Sequence, residues 1–124
     1  DYETADGTNI RDYIHVQDIA AAHLTVLNNL EQLTKRGNLS DYAFNIGDGK
    51  GFSVKEVLSQ IEKTTGAKLN LKISGRRQGD PAVLIADATK LSAMGWMPKH
   101  STLENIIGTA WRWKNKSKSG IMRA

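Results

Sequence analysis

Gly7-Thr8-Asn9-Ile10-Arg11-Asp12-Tyr13-Ile14-His15-Val16-Gln17-Asp18-Ile19-Ala20-Ala21-Ala22-His23 changes its period halfway along. From Arg11 to Val16 polar residues alternate with apolar or aromatic ones, the pattern of a short strand or extended loop. From about Gln17 the apolar positions become Ile19, Ala22, His23, Val26, Leu27, Leu30 and Leu33. That spacing predicts one long helix, from about Gln17 to Lys35. Asp18 falls in its first turn, where a carboxylate suits the positive end of the helix. The joint therefore fixes an arginine and a tyrosine beside a rigid element, and the planar fork of Arg11 suits phosphate or carboxylate.

Working outward, Asp1 to Asn9 is polar and reads as a loop with a turn at Asp6-Gly7. Arg36-Gly37-Asn38 is the expected stop of the long helix. Tyr42-Ala43-Phe44-Asn45-Ile46 is a short apolar run that predicts a buried strand. Gly47, Gly49 and Gly51 follow it. Their spacing lacks the third-glycine step of a dinucleotide fingerprint and has no Gly-Lys-Ser/Thr end, so a permissive turn before a helix is the preferred reading. Ser53-Val54-Lys55-Glu56 is a capping box opening a helix with Val54, Val57, Leu58 and Ile61 on one face and Gly66 at its end. Leu69, Leu71 and Ile73 alternate with polar residues, which predicts a half-buried strand.

Arg76-Arg77-Gln78-Gly79-Asp80-Pro81 concentrates two cations, a glycine and a carboxylate, and Pro81 drives Asp80 away from helical backbone. Asp87 is expected to cap a short helix, Ala88 to Met94, closed by Gly95. Trp96-Met97-Pro98 reads as a turn with apolar anchors. Ser101-Thr102-Leu103-Glu104 is a second capping box, and the last helix, to about Lys116, carries Leu103, Ile106, Ile107, Ala110 and Trp111 on its buried stripe. Strands so few and short make a marginal sheet, so the 124 residues read as one small α/β unit cut from something larger.

Composition narrows the chemistry. There is no cysteine, which removes disulfides, thiolate metal sites and a thiol nucleophile. No apolar run approaches the ~20 residues that span a bilayer. The net charge of +4 gathers toward Arg112, Lys114, Lys116, Lys118 and Arg123. No nucleic-acid-binding signature accompanies it, and a modest positive charge also suits a phosphate-bearing ligand. His15, His23 and His100 match no metal-ligand spacing, and His23 lies on the apolar stripe, so it is expected to pack rather than ligate.

The blocks Gly7 to His23, Phe44 to Val57, Arg76 to Ala82, Ala86 to Lys90 and Leu91 to Trp96 leading to Trp111-Arg112-Trp113, in this order, resemble the UDP-glucose 4-epimerase family of extended short-chain dehydrogenases/reductases. The resemblance covers nearly the whole chain. It implies the C-terminal, nucleotide-sugar-binding portion of an NAD(P)-binding, Rossmann-like reductase, with helices, a few short strands and an incomplete sheet. The N-terminal NAD-binding domain would lie outside the 124 residues. The implied activity is interconversion of UDP-glucose and UDP-galactose through a 4-keto intermediate formed with NAD, in a cytoplasmic homodimer.

By the same resemblance Arg11 and Arg77 contact the diphosphate of a UDP-hexose, Tyr13 lies by the nucleotide and Asp80 contacts the ribose. Read without it, Arg11 and Asp12 are a surface ion pair, and Arg76-Arg77 is a solvated turn. The family's tyrosine-lysine pair in Y-x-x-x-K has no counterpart here: Tyr2, Tyr13 and Tyr42 are followed four residues on by Asp6, Gln17 and Ile46. Val83-Leu84-Ile85 stands where some members carry a further tyrosine. The chain by itself is expected to be inactive. The alternatives are a sister nucleotide-sugar epimerase or dehydratase, and a non-catalytic nucleotide-sugar-binding module.

Overall fold

The computed structural model describes residues 2–35, 37 and 42–118. Arg36 and Asn38 of the expected helix stop, and the end of the basic tail from residue 119, lie outside the described residues. In chain order the elements are β1 (Ile10–Arg11), α1 (Val16–Asn28), α2 (Leu30–Thr34), β2 (Phe52–Ser53), α3 (Val54–Thr65), β3 (Val83–Leu84), α4 (Thr89–Ser92) and α5 (Leu103–Lys118). The three strands form a small mixed sheet in the order β2-β1-β3. β1 runs antiparallel to β2, with Ile10 opposite Ser53, and parallel to β3, with Ile10 opposite Val83. Two-residue strands hold together only because helices and loops pack beside them.

The expected single helix of residues 17–35 is two. Asn29 leaves helical geometry at φ −106° and ψ 8°, and its side-chain amide donates to the Thr25 carbonyl at 2.9 Å. A side chain that satisfies the carbonyls of the preceding turn competes with the backbone ladder, and α1 ends there. The stripe is also narrower than its spacing suggests. Ala22 and Leu33 are buried, whereas Leu27 and Leu30 are exposed. His23 is exposed too, its Nδ1 bonded to the Ile19 carbonyl at 2.8 Å, so it is not a packing histidine.

The core is Ala22, Leu91 and Trp96, with Ile14, Val26, Phe44, Ile46 and Ala88 packed around it. Burying a side chain such as Leu91 contributes about 2–3 kcal/mol of transfer free energy. Phe44 and Ile46 reach this core on an extended run rather than the expected strand: no ladder forms along 42–46 among the described residues. Side chains hold the run instead. Lys90 Nζ donates to the Ala43 carbonyl at 2.9 Å and sits 4.4 Å from the centre of the Phe44 ring. The strand expected at Leu69–Ile73 is absent as well; Leu71 is 57% and Ile73 96% exposed, because alternation needs a sheet to lie on and none is adjacent.

The first capping box forms as its sequence demands: Ser53 accepts from the Glu56 N–H, and Glu56 accepts from the Ser53 N–H at 2.7 Å. α3 then closes on Gly66 at φ +70°. It packs against α5, whose Trp111 is half-buried rather than core. The second box does not form. Thr102 Oγ1, not Ser101, accepts from the α5 backbone, at Asn105 N. Asp87 does act at the start of α4 by accepting the Thr89 N–H at 2.9 Å, but that helix is only Thr89–Ser92.

Ser101 is diverted to a buried joint. Asp18 is 1% exposed. Its carboxylate accepts the Lys99 N–H at 3.0 Å, the His100 N–H at 2.8 Å and the Ser101 hydroxyl at 2.6 Å. Burial pushes this carboxyl upward, but the Ser101 hydroxyl and the two N–H groups outweigh it and hold the group below its usual range. His15 completes the joint. Its Nδ1 accepts from Gln17 N at 3.1 Å, so the proton lies on Nε2 and is donated to Thr109 Oγ1 at 2.8 Å, whose own proton goes to the Asn105 carbonyl. These contacts weld the start of α1 to the start of α5.

Candidate functional site

In the extended run through β1, alternation sends neighbouring side chains to opposite sides. Asp12 goes to the glycine turn, where its carboxylate accepts the N–H groups of Asp48 at 3.0 Å, Gly49 at 3.1 Å and Ala86 at 3.2 Å. Arg11 goes the other way. The two do not form the ion pair that adjacency suggested. The glycine positions are explained by close approach: a Cβ at Gly47 would strike Asp12 and Ala86, one at Gly51 would strike Ile10 and Ile85, and Gly49 stands at φ +69°. With its amides turned onto Asp12, this loop does not fit the phosphates of a dinucleotide.

On the Arg11 side the second polar stretch folds back. Gly79, at φ +77°, turns the chain so that the Asp80 N–H meets the Arg77 carbonyl at 3.3 Å. Asp80 then pairs with Arg11 through Oδ1, across most of the chain's length. Its other oxygen accepts the Tyr2 hydroxyl at 2.6 Å and the Asn9 side-chain amide at 3.2 Å. The Arg11 guanidinium also donates to the carbonyls of Ile10 at 2.7 Å and Pro81 at 2.9 Å. Arg76 lies 4.7 Å from the centre of the Tyr2 ring and donates to the Asp80 carbonyl at 3.0 Å.

Of the four residues singled out from sequence, the structure joins Arg11 and Asp80. Tyr13 is half-buried and follows Arg11 by two residues. The Arg77 side chain is exposed and takes no hydrogen bond or ion pair from another described residue. Tyr2, Asn9 and Arg76 complete the cluster. Asn9 was legible in principle, because it lies two residues from Arg11 and shares its side. Tyr2 was not, since nothing in a polar loop announces contact with a turn at the far end of the chain.

The network is electrostatically consistent. The Tyr2 hydroxyl, then the Arg11 guanidinium, hold the Asp80 carboxyl below its ordinary range, and the same hydrogen bond raises the Tyr2 phenol. A carboxylate offers about four lone-pair positions, and three are taken. One remains for a ligand hydroxyl. Arg11 has three of its five N–H groups engaged and two to spare for an anion. The loop that carries Tyr2 is anchored in turn: Asp6 accepts from the Ser53 and Thr8 hydroxyls and the Thr8 N–H, which lowers its carboxyl to about 2. Among the described residues no cluster of histidine and carboxylate groups could hold a metal ion, and no helix is long and apolar enough to cross a membrane.

Residues 2–47 match the NAD dependent epimerase/dehydratase family. UDP-glucose 4-epimerase of Halalkalibacterium halodurans is 44% identical over 97% of this chain and 35% of its own length. The crystal structure of the Bifidobacterium longum UDP-glucose 4-epimerase with NAD+ and UDP superposes at a TM-score of 0.78, with 34% identity, over 98% of this chain and 34% of that one. The Stenotrophomonas maltophila UDP-glucose 4-epimerase, solved with NAD and formylated UDP-arabinopyranose, gives a TM-score of 0.79 with 38% identity, over 96% and 34%. The chain therefore spans about a third of the length of the relatives it matches. By sequence and by fold it is similar to the corresponding third of UDP-glucose 4-epimerases.

Proposed function

We propose that this chain is the nucleotide-sugar-binding portion of a UDP-hexose 4-epimerase that interconverts UDP-glucose and UDP-galactose. The observation that carries the reading is the docking of the Arg76–Pro81 turn onto Arg11. It brings the carboxylate of one polar stretch onto the guanidinium of another, with donors left over on one and an acceptor position on the other. A nucleoside diphosphate asks for that combination: cationic N–H groups for its phosphoryl oxygens and a carboxylate for a ribose hydroxyl. Arg11 and Arg77 take the diphosphate, Asp80 the ribose, and Tyr13 borders the nucleotide.

NAD and the tyrosine-lysine pair that moves the sugar proton would come from polypeptide outside these residues. The work of this chain is binding and orientation: it fixes one end of the ligand so that the hexose C4 meets the chemistry supplied elsewhere. On this reading the 124 residues alone do not turn over substrate, and the intact protein works as a cytoplasmic homodimer. The sugar bound with the Stenotrophomonas relative keeps a second reading in view, an epimerase of the same family acting on another UDP-sugar. A comparison of UDP-glucose with UDP-arabinopyranose as substrates of the intact protein separates the two.

Arg77→Ala in the intact protein should weaken UDP binding by about 1–3 kcal/mol, the scale of a lost charge-assisted hydrogen bond. Calorimetry with UDP makes the measurement. An unchanged dissociation constant would contradict the assignment of Arg77 to the diphosphate.

A further inference from the structure

Tyr2 lies in a polar loop that no motif reading singled out, yet it grips both ends of the Arg76–Asp80 turn. Its hydroxyl donates to Asp80 Oδ2 at 2.6 Å, and its ring lies beneath the Arg76 guanidinium at 4.7 Å. Arg76 closes the loop of contacts by donating to the Asp80 carbonyl at 3.0 Å. Tyr2 is itself held in place. Its N–H donates to the Gly7 carbonyl at 3.2 Å, and its carbonyl accepts from Thr4 N at 2.8 Å. The same loop is pinned by Asp6 to Ser53, at the head of α3.

We propose that Tyr2 is a positioning residue for the nucleotide site, holding the Asp80 carboxylate and the Arg76 side of its turn in the shape that receives the ligand. The inference rests on the nucleotide-sugar reading for the identity of the ligand. Without the Tyr2 hydroxyl, Asp80 Oδ2 keeps only the longer Asn9 bond at 3.2 Å, and the carboxylate is held less tightly, by that amide and by Arg11 on Oδ1. Arg11 would be aimed less firmly at the same time, because Asp80 Oδ1 is one of the three acceptors that hold that guanidinium. A ligand would then have to order both groups as it binds, at an entropic cost the wild-type protein has already met. The tyrosine need not touch the ligand to do this.

The test is Tyr2→Phe, which keeps the ring under Arg76 and removes only the hydroxyl. Two readouts on the intact protein are needed. The first is the titration of the Asp80 carboxyl followed by carbon-13 NMR, which should move upward toward the ordinary carboxylate range. The second is UDP affinity by calorimetry, which should fall about five- to tenfold, the effect of one net hydrogen bond. In an Asp80→Ala background the same Tyr2→Phe change should have no effect on UDP, since Tyr2 acts through Asp80. An unmoved Asp80 titration overturns the inference whatever UDP does. So does a full, undiminished effect of Tyr2→Phe in the Asp80→Ala background. Failure of the unaltered protein to bind UDP would instead sink the nucleotide reading, and the Tyr2–Asp80 coupling would then be decided by the titration.

Discussion

Asp18 and Asp80 each accept from three donors, and their settings are opposite. The donors to Asp18 are two backbone N–H groups and a hydroxyl from one short segment, residues 99–101, and the group is 1% exposed. The donors to Asp80 are the side chains of Tyr2, Asn9 and Arg11, and its own side chain remains 25% exposed. A carboxylate sealed from water and held by backbone donors is a structural rivet. Side-chain donors at the surface can exchange with a ligand's groups at little cost. Counting hydrogen bonds does not separate structure from site; the kind of donor and the access of water do.

The sharpest way to break that comparison is to delete both carboxylates in turn. Asp18→Ala leaves the Lys99 and His100 N–H groups and the buried Ser101 hydroxyl without their acceptor. At 1–3 kcal/mol for each unsatisfied buried group, the loss should reach about 3 kcal/mol or more in denaturant unfolding. UDP affinity of the molecules that remain folded should be unaltered. Asp80→Ala should reverse the pattern: UDP affinity falls about tenfold, on the scale of a charge-assisted bond, while the thermal midpoint hardly moves. If Asp80→Ala unfolded the protein and Asp18→Ala abolished UDP binding, the division between rivet and site would be wrong.

The same contrast explains what the sequence could disclose. The β1–α1 joint was legible because the period changes there, and the Ser53–Glu56 box because its partners lie three residues apart. Arg11 and Asp80 were singled out by the family resemblance, since their side-chain chemistry alone reads as a surface ion pair and a solvated turn. The sheet was not: strands of two residues carry no periodicity, and β1 finds its partners far along the chain at Phe52–Ser53 and Val83–Leu84. The apolar alternation at Leu69–Ile73 misled because it signals a surface to lie on, which the neighbouring described residues do not supply. The fate of Ser101 could not be read either, since the buried Asp18 that captures it lies 83 residues away in sequence.

Acid titration gives the mildest test, because it loosens carboxylates of both kinds together. Asp6, Asp18, Asp80 and Asp87 all have folded values below the ordinary 3.8, with Asp6 at about 2. A depressed folded value means that the folded state prefers the charged form. The resulting stability is fully present above the ordinary value and is lost as the pH falls through the folded one. The thermal midpoint should therefore be level from pH 7 to about 5 and decline between about pH 4 and 2. Asp6→Asn should flatten part of that decline. It removes a group bonded to Ser53 and Thr8 whose protonation would otherwise release the loop that carries Tyr2 from the head of α3. Because Asp6 is far from sealed, the change should be smaller than that of Asp18→Ala. A decline in Asp6→Asn as steep as in the unaltered protein would mean that the loop is held by Lys55, through its bond to the Asp6 carbonyl at 2.6 Å, rather than by the carboxylate.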